Sequence, residues 1–171
     1  MITIRNEENR DRRSVSLIYK AAFGQATEAD LVESLRKSCP GRLALVADER
    51  GQVVGHILFT PATITTDCGK TIIGMGLAPI AVTPDLQGQG IGSRLVNVGL
   101  AILKEQRCPF VIVLDHPRFF PRFGFAPAEE HRVRCQWPDV PSEAFMILLL
   151  NQEAQQISGI ARYRDEFNQA I

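Results

Sequence analysis

The sequence predicts a mixed α/β domain, a central and mostly antiparallel sheet with one parallel strand pair and helices on its flanks. Three stretches predict it. Leu43 to Ala47 and Val53 to Thr60 are apolar runs on either side of the acidic, glycine-bearing connection Asp48 to Gln52, which is a hairpin pattern. Leu77 to Val82 is a further apolar run, followed by the turn residues Pro84 and Asp85, by Gly88, Gly90 and Gly92, and by a helical pattern. After that helix, Phe110 to Leu114 is apolar throughout, as a strand buried on both faces would be. Strand, helix, strand makes a parallel pair, and such crossovers are right-handed in nearly all cases.

The elements follow in order. Met1 to Arg5 alternates apolar and polar, a short first strand, and Asn9 to Phe23 carries Val15, Leu17, Ile18 and Ala22 at helical spacing. A second helix starts near Thr27, with Asp30 three residues on in a capping-box-like pattern and Leu31 and Leu35 on its apolar face. The second hairpin strand continues to Ile64, Thr65 to Lys70 is a turn, and Thr71 to Val82 is the central strand. Pro79 interrupts that strand, and a residue with no N–H to donate belongs at a bulge or an edge. The glycine-loop helix has the stripe Ile91, Leu95, Val98, Ile102. Beyond Pro117 a short helical segment ends at Gly124, and Ala144 to Leu150 is the last strand expected.

With 171 residues the chain is long enough for a real core and short for two domains, so residues 1–171 are expected to form one. Its 19 basic and 19 acidic residues balance, with no basic stripe to suggest nucleic acid. The N-terminus has no apolar signal region, and the longest apolar run, Phe145 to Leu150, is far below the roughly 20 residues that span a membrane. A cytoplasmic protein without a membrane partner is expected. Cys39, Cys68, Cys108 and Cys135 form no C-x-x-C pair and are expected as reduced, mostly buried thiols; the histidines have no zinc spacing, so no metal is expected.

The helix after the glycines carries the chemistry. Its first N–H groups have no intrahelical partner, its dipole favours negative charge, and glycines admit a close ligand, so the geometry suits a phosphate. Spacing separates the glycine-loop chemistries. A dinucleotide fingerprint starting at Gly88 needs a third glycine where Ser93 stands, and a P-loop ending in Gly69-Lys70-Thr71 needs a first glycine where Ile64 stands. What remains is Q-x-x-G-x-G, Gln87 to Gly92.

That motif, with Gly76 to Val96 (GLAPIAVTPDLQGQGIGSRLV), Val113 to Ala128 (VLDHPRFFPRFGFAPA) and Arg134 to Pro138 (RCQWP), resembles the YhbS-like bacterial branch of the GNAT superfamily of N-acetyltransferases. The resemblance covers nearly the whole chain. It implies the GNAT fold, with acetyl-CoA in a V-shaped gap between two splayed parallel strands, and an acetyl group passed to a primary amine by direct attack. It places the pyrophosphate on Gln87, Gly88, Gln89, Gly90, Ile91, Gly92 and Ser93, and the pantetheine arm along Ile80, Ala81 and Val82, with the Val82 N–H facing the thioester carbonyl. Acceptors, small amines or protein amines, enter beside the first two helices. A homodimer is a candidate assembly, and the sequence does not give the oligomeric state.

The family's acid is commonly a tyrosine on the short helix after the parallel strand. Phe120 stands there and Phe123 follows, both expected against the coenzyme. Phenylalanine donates no proton, so Phe120→Tyr is expected to raise kcat. The departure also supports an alternative, a non-catalytic acyl-CoA-binding module; a plain nucleotide-binding protein would rest on the glycine loop alone. Glu28 is the candidate base, against a second reading in which Glu28 and Asp30 only complement a helix N-terminus. Asp115 and His116 follow the parallel strand, where a donor–acceptor dyad competes with structural roles for both, and adjacent side chains pointing in different directions favour the structural roles; Arg118 and Arg122 are helix-face cations and Trp137 a packing anchor or acceptor wall. Tyr163, between Arg162 and Arg164, is the stand-in acid preferred over Tyr19, because flanking cations lower a phenol's pKa.

Overall fold

A computed structural model describes residues 1–151 and 156–170. Among the described residues there are nine strands: β1 (Ile2–Asn6), β2 (Leu43–Glu49), β3 (Gln52–Thr65), β4 (Thr71–Val82), β5 (Phe110–Leu114), β6 (Ala126–Pro127), β7 (Val133–Cys135), β8 (Phe145–Leu149) and β9 (Gly159–Arg162). The helices are α1 (Arg12–Phe23), α2 (Thr27–Ser38) and α3 (Ile91–Glu105). The sheet has the order β1-β2-β3-β4-β5-β8-β6, with β9 pairing β3 and β7. Most pairings are antiparallel and β4–β5 is parallel, which is the mixed fold the sequence predicts.

The chain divides into two compact units. The first holds Met1–Phe59, Ala78–Leu100 and the C-terminal residues from Asp165. In it β1 and β2 pair from Ile2↔Glu49 to Asn6↔Leu45, and β2 pairs β3 with a bulge at Ala47/Asp48. The connection between β2 and β3 is tighter than expected, Arg50 and Gly51 only, because both adopt φ > 0 (54° and 88°) in the sense that matches strand twist. The Gly51 N–H donates to Asp48 Oδ1 at 2.7 Å and closes the turn.

The buried stripe of α1 is Val15, Ile18 and Tyr19, while Leu17 is exposed. At about 100° per residue, positions 15, 18, 19 and 22 share a face and 17 lies off it. The capping box expected at Thr27 is absent: Thr27 is the first helical residue, and Ala26 before it has no side chain to cap with. Glu28 and Asp30 fall in the first turn instead, beside the unpaired N–H groups. Leu31 and Leu35 are buried as expected. On α3 the buried positions are Ile91, Leu95, Val96, Gly99 and Leu103, and a Cβ on Gly99 would stand 2.4 Å from the Phe59 ring. Val98 and Ile102 of the expected stripe are half-buried flanks.

The second unit holds Thr60–Leu77 and Ala101–Arg164. Its parallel ladder is Met75↔Val111, Gly76↔Ile112 and Leu77↔Val113, and the run Phe110–Val113 is buried as its composition requires. β8 lies antiparallel to β5, and β6 to β8. β9 pairs antiparallel with Thr63–Thr65 and parallel with β7, a second parallel pair that the sequence does not announce. The short helical segment is a 3-10 turn, Phe120–Phe123, ended by left-handed Gly124. Of the cysteines, Cys39 is buried, Cys108 and Cys135 are half-buried, and Cys68 is exposed in the β3–β4 turn, where small size suits the bend and no core claims it.

Candidate active site

The glycine loop lies in the first unit, between the end of β4 and α3. β4 runs into a 3-10 turn, Pro84–Leu86, tied by Leu86 N–H to Thr83 O (2.9 Å) and Gln87 N–H to Pro84 O (3.3 Å). The Gln87 side chain folds back, Nε2 donating to Val82 O at 3.1 Å. Gln87 thus commits both its N–H and its amide to holding the loop against the strand. The donors offered to an anion start at Gly88. Gly88 (φ 76°) and Gly90 (φ 86°) take the left-handed conformation that side chains resist, and a Cβ on either would meet no atom within 4 Å, so the loop's outer face is open. The first α3 backbone bond in this turn is Arg94 N–H to Gly90 O (3.1 Å), which leaves the Ile91, Gly92 and Ser93 N–H groups without an intrahelical acceptor. No acidic residue stands in the first turn of α3 to compete for them.

The strand end that leads into this loop is oriented. Thr83 N–H donates to Val54 O on β3 at 2.8 Å, so the N–H of the preceding extended residue, Val82, points to the opposite edge. Ile80 and Val82 are half-buried and Ala81 is buried.

Behind β4 lies a buried polar chain that sequence reasoning missed. Tyr19 Oη is 2.8 Å from His56 Nδ1 and 3.0 Å from Pro79 O. His56 Nε2 stands 3.4 Å from Glu7 Oε1, and the Arg36 guanidinium forks onto the same carboxylate while donating to Glu33 at 2.7 Å. Burial alone would raise the Glu7 pKa, but His56 and Arg36 outweigh it and hold it at about 2. Burial lowers the His56 pKa against the pull of Glu7, and burial raises that of Tyr19. Nothing in the local sequence marks these residues, since helix, strand and loop contribute one or two each.

Tyr163, in the second unit, is buried, and burial raises its pKa well above that of a free phenol. The lowering expected from Arg162 and Arg164 does not occur: Arg162 donates to Thr65 Oγ1 at 3.2 Å. Phe120 is completely buried, its ring 5.0 to 6.2 Å from those of Phe119, Phe123 and Phe125, and Phe123 is half-exposed. Arg122 serves this cluster, Nε donating to Phe119 O (2.9 Å) and the guanidinium lying 4.7 Å above the Phe119 ring. The Asp115 carboxylate accepts from the His116 backbone N–H at 2.6 Å, an interaction that involves no imidazole. Glu28 is half-exposed and accepts from Gln25 Nε2 at 3.0 Å.

Each unit has a cavity of its own. One of about 380 Å³ in the first unit is lined by Thr27, Asp30, Leu31, Ser34 and Glu166. Another of about 390 Å³ in the second unit is lined by Glu129, Cys135, Trp137, Phe145 and Ile160. Among the described residues no group of three or more His, Cys, Asp or Glu is placed to hold a metal, and no helix is long and apolar enough to cross a membrane.

A strand, a left-handed glycine loop and a helix N-terminus cleared of acids define a class that binds its cosubstrate by backbone. Residues 40–127 match the family model of the acetyltransferase (GNAT) domain, and the chain belongs to this family of acyltransferases. It is 35% identical over 167 residues to the uncharacterised N-acetyltransferase YhbS of Escherichia coli K12, covering 96% of this chain and 98% of that one. The crystal structure of E. coli YhbS in complex with CoA superposes with a TM-score of 0.88 at 34% identity, covering 98% of this chain and 92% of that one. A GNAT family acetyltransferase of Brucella melitensis in complex with acetyl-CoA gives a TM-score of 0.80 at 29% identity, covering 98% of both.

Proposed function

We propose that this protein binds acetyl-CoA on the β4–α3 loop and transfers its acetyl group to a primary amine by direct attack. The observation that carries the reading is the open loop Gly88–Ser93, with two left-handed glycines and a helix N-terminus free of acidic residues. Relatives at 34% and 29% identity are bound to CoA and acetyl-CoA, which supports the same cosubstrate here. The whole chain, both compact units together, acts as one acetyltransferase domain.

Each residue then has a task. The N–H groups from Gly88 to Ser93 hold the pyrophosphate, and Gln87 fixes the loop's approach. The backbone from Ile80 to Val82 pairs with the pantetheine arm, and the outward Val82 N–H stabilises the oxyanion formed when the amine attacks the thioester carbonyl. Phe120 supplies no proton and lies within an aromatic cluster that presents Phe123 as its half-exposed edge. The leaving thiolate takes its proton from water, since a thiol of pKa ~8.5 is a good leaving group near neutrality. The acceptor is an amine that arrives as its ammonium form, and the α2 cavity with Asp30 and Glu166 suits that charge. Glu28, half-exposed in the first turn of the same helix but not one of the cavity's lining residues, is the base in this reading. Glu28→Gln is then expected to lower kcat by about 10² or more at unchanged KM for acetyl-CoA. An unchanged kcat with a lower melting temperature would assign Glu28 to the α2 dipole instead.

Thiol release from acetyl-CoA with a panel of primary amines tests the reading. Amine-dependent release establishes the enzyme; saturable acetyl-CoA binding with no release from any amine would establish a non-catalytic acyl-CoA-binding module in its place.

A further inference from the structure

Two buried tyrosines bond backbone carbonyls of β4. The first is Tyr163. Its hydroxyl lies 3.2 Å from Leu77 O and 3.2 Å from Ile112 O, and the Leu114 N–H faces the phenol oxygen. Those three backbone groups belong to β4 and β5 at the last registered pair, Leu77↔Val113. The hydroxyl therefore stands where another slanted rung between the strands would run.

The place is built for this ring. A Cβ on Gly76 would sit 2.5 Å from Tyr163 Cε1, so only glycine at position 76 leaves room. The Trp137 ring stacks on that of Tyr163 at 5.8 Å and 21°, and Gln136 Oε1 accepts from the Tyr163 N–H at 2.6 Å.

The second is Tyr19, two β4 positions further on. Its hydroxyl reaches Pro79 O at 3.0 Å, on a residue that has no N–H of its own for a ladder. His56, Glu7 and Arg36 lock that hydroxyl from behind. The Tyr19 ring is completely buried and lies edge-on to His56, with centroids 5.5 Å apart.

We propose that Tyr163 and Tyr19 are positioning residues, Tyr163 standing in for the rung after Leu77↔Val113 and Tyr19 holding the Pro79 carbonyl, so that the following backbone, Ile80 to Val82, is presented to the pantetheine arm. The inference rests on the acetyl-CoA reading above. Neither hydroxyl enters the chemistry; each acts through the backbone it holds.

Tyr163→Phe and Tyr19→Phe remove the hydroxyls and keep the rings. Calorimetric titration with coenzyme A, and with a fragment of it ending at the pyrophosphate, separates the two ends of the cosubstrate. Each variant is expected to bind coenzyme A roughly tenfold more weakly, the size of one lost hydrogen bond, while the fragment, held by the glycine loop, keeps its wild-type Kd. In turnover, KM for acetyl-CoA rises while kcat changes little. Wild-type affinity for intact coenzyme A in both variants overturns the proposal, and so does an equal loss for coenzyme A and fragment, which would mark a general loss of structure. Failure of the wild type to bind either ligand would instead sink the acetyl-CoA reading itself. Amide exchange of the unmodified protein gives an independent reading: the Val82 N–H is expected to exchange fast without ligand and slowly with coenzyme A. Slow exchange in both states would mean that the edge is already paired, and would overturn the proposal.

Discussion

Phe120 shows how far a residue's role depends on what packs around it. The sequence aligns it with the family's acid, which makes Phe120→Tyr an expected gain of rate. The ring is completely buried among Phe119, Phe123 and Phe125, so an added hydroxyl enters an aromatic cluster. A buried hydroxyl without a partner costs about 1–3 kcal/mol, so Phe120→Tyr is now expected to lower the melting temperature without raising kcat. A faster, equally stable variant would return Phe120 to the coenzyme's sulfur. Glu7 makes a pH prediction. Its folded pKa of about 2 lies below the ordinary 4.5, so its contribution is present above pH 4.5 and is lost as pH falls toward 2. His56, depressed below 6.5, acts in the same direction: the unfolded chain gains its proton first, so stability falls as pH drops through 6.5. Melting temperature is expected to decline from pH 6.5 downward. Glu7→Gln, which leaves Arg36 without its buried partner, is expected to cost about 3–5 kcal/mol at pH 7 and to flatten the slope below pH 4.5. A wild-type slope in that variant would place the acid sensitivity elsewhere.

At the scale of elements, those with a strong period or a long apolar run were legible: β4 has the expected bounds, β5 is the continuous apolar run, and α2 starts where Thr27 places it. β6, β7 and β9 were not, because two to four residues are too few to show alternation. The faces of α1 and α3 differ in part from the sequence pattern. Tyr19 replaces Leu17 on α1 because a tyrosine scores as polar until its hydroxyl has partners, and on α3 the stripe centres on Gly99, which no apolar count would choose. Gly99 yields the prediction that belongs here. A methyl at that position would overlap the Phe59 ring, which is completely buried and has nowhere to retreat. Gly99→Ala gains helix propensity of about 1 kcal/mol, yet overpacking costs typically 1–3 kcal/mol. Chemical denaturation is expected to show net destabilisation, and a more stable variant would mean that Phe59 and α3 separate easily.

For the whole molecule, the candidate cosubstrate loop was legible as a feature because it is a contiguous motif: strand, glycines and helix lie within Ile80 to Ser93. The buried supports were not readable, because Glu7, Tyr19, His56 and Arg36 come from separate elements and meet only on folding. Balanced net charge supplies no long-range attraction for an anionic partner, so the proposed recognition rests on the loop's local donors. A ligand bound only by the native state stabilises it by RT ln(1 + [L]/Kd), about 2.7 kcal/mol at a hundredfold excess over Kd. The account's central claim is that the β4–α3 loop holds acetyl-CoA by its pyrophosphate, and calorimetric titration of acetyl-CoA into the wild type and Gly90→Glu tests it most directly. The added Cβ meets no atom within 4 Å, but the left-handed φ of 86° strains any side chain there, and the carboxylate puts a negative charge where phosphate oxygens must approach. The account predicts saturable binding in the wild type and none in a folded Gly90→Glu protein; a wild-type Kd in that variant, or no binding by the wild type at millimolar acetyl-CoA, would contradict it.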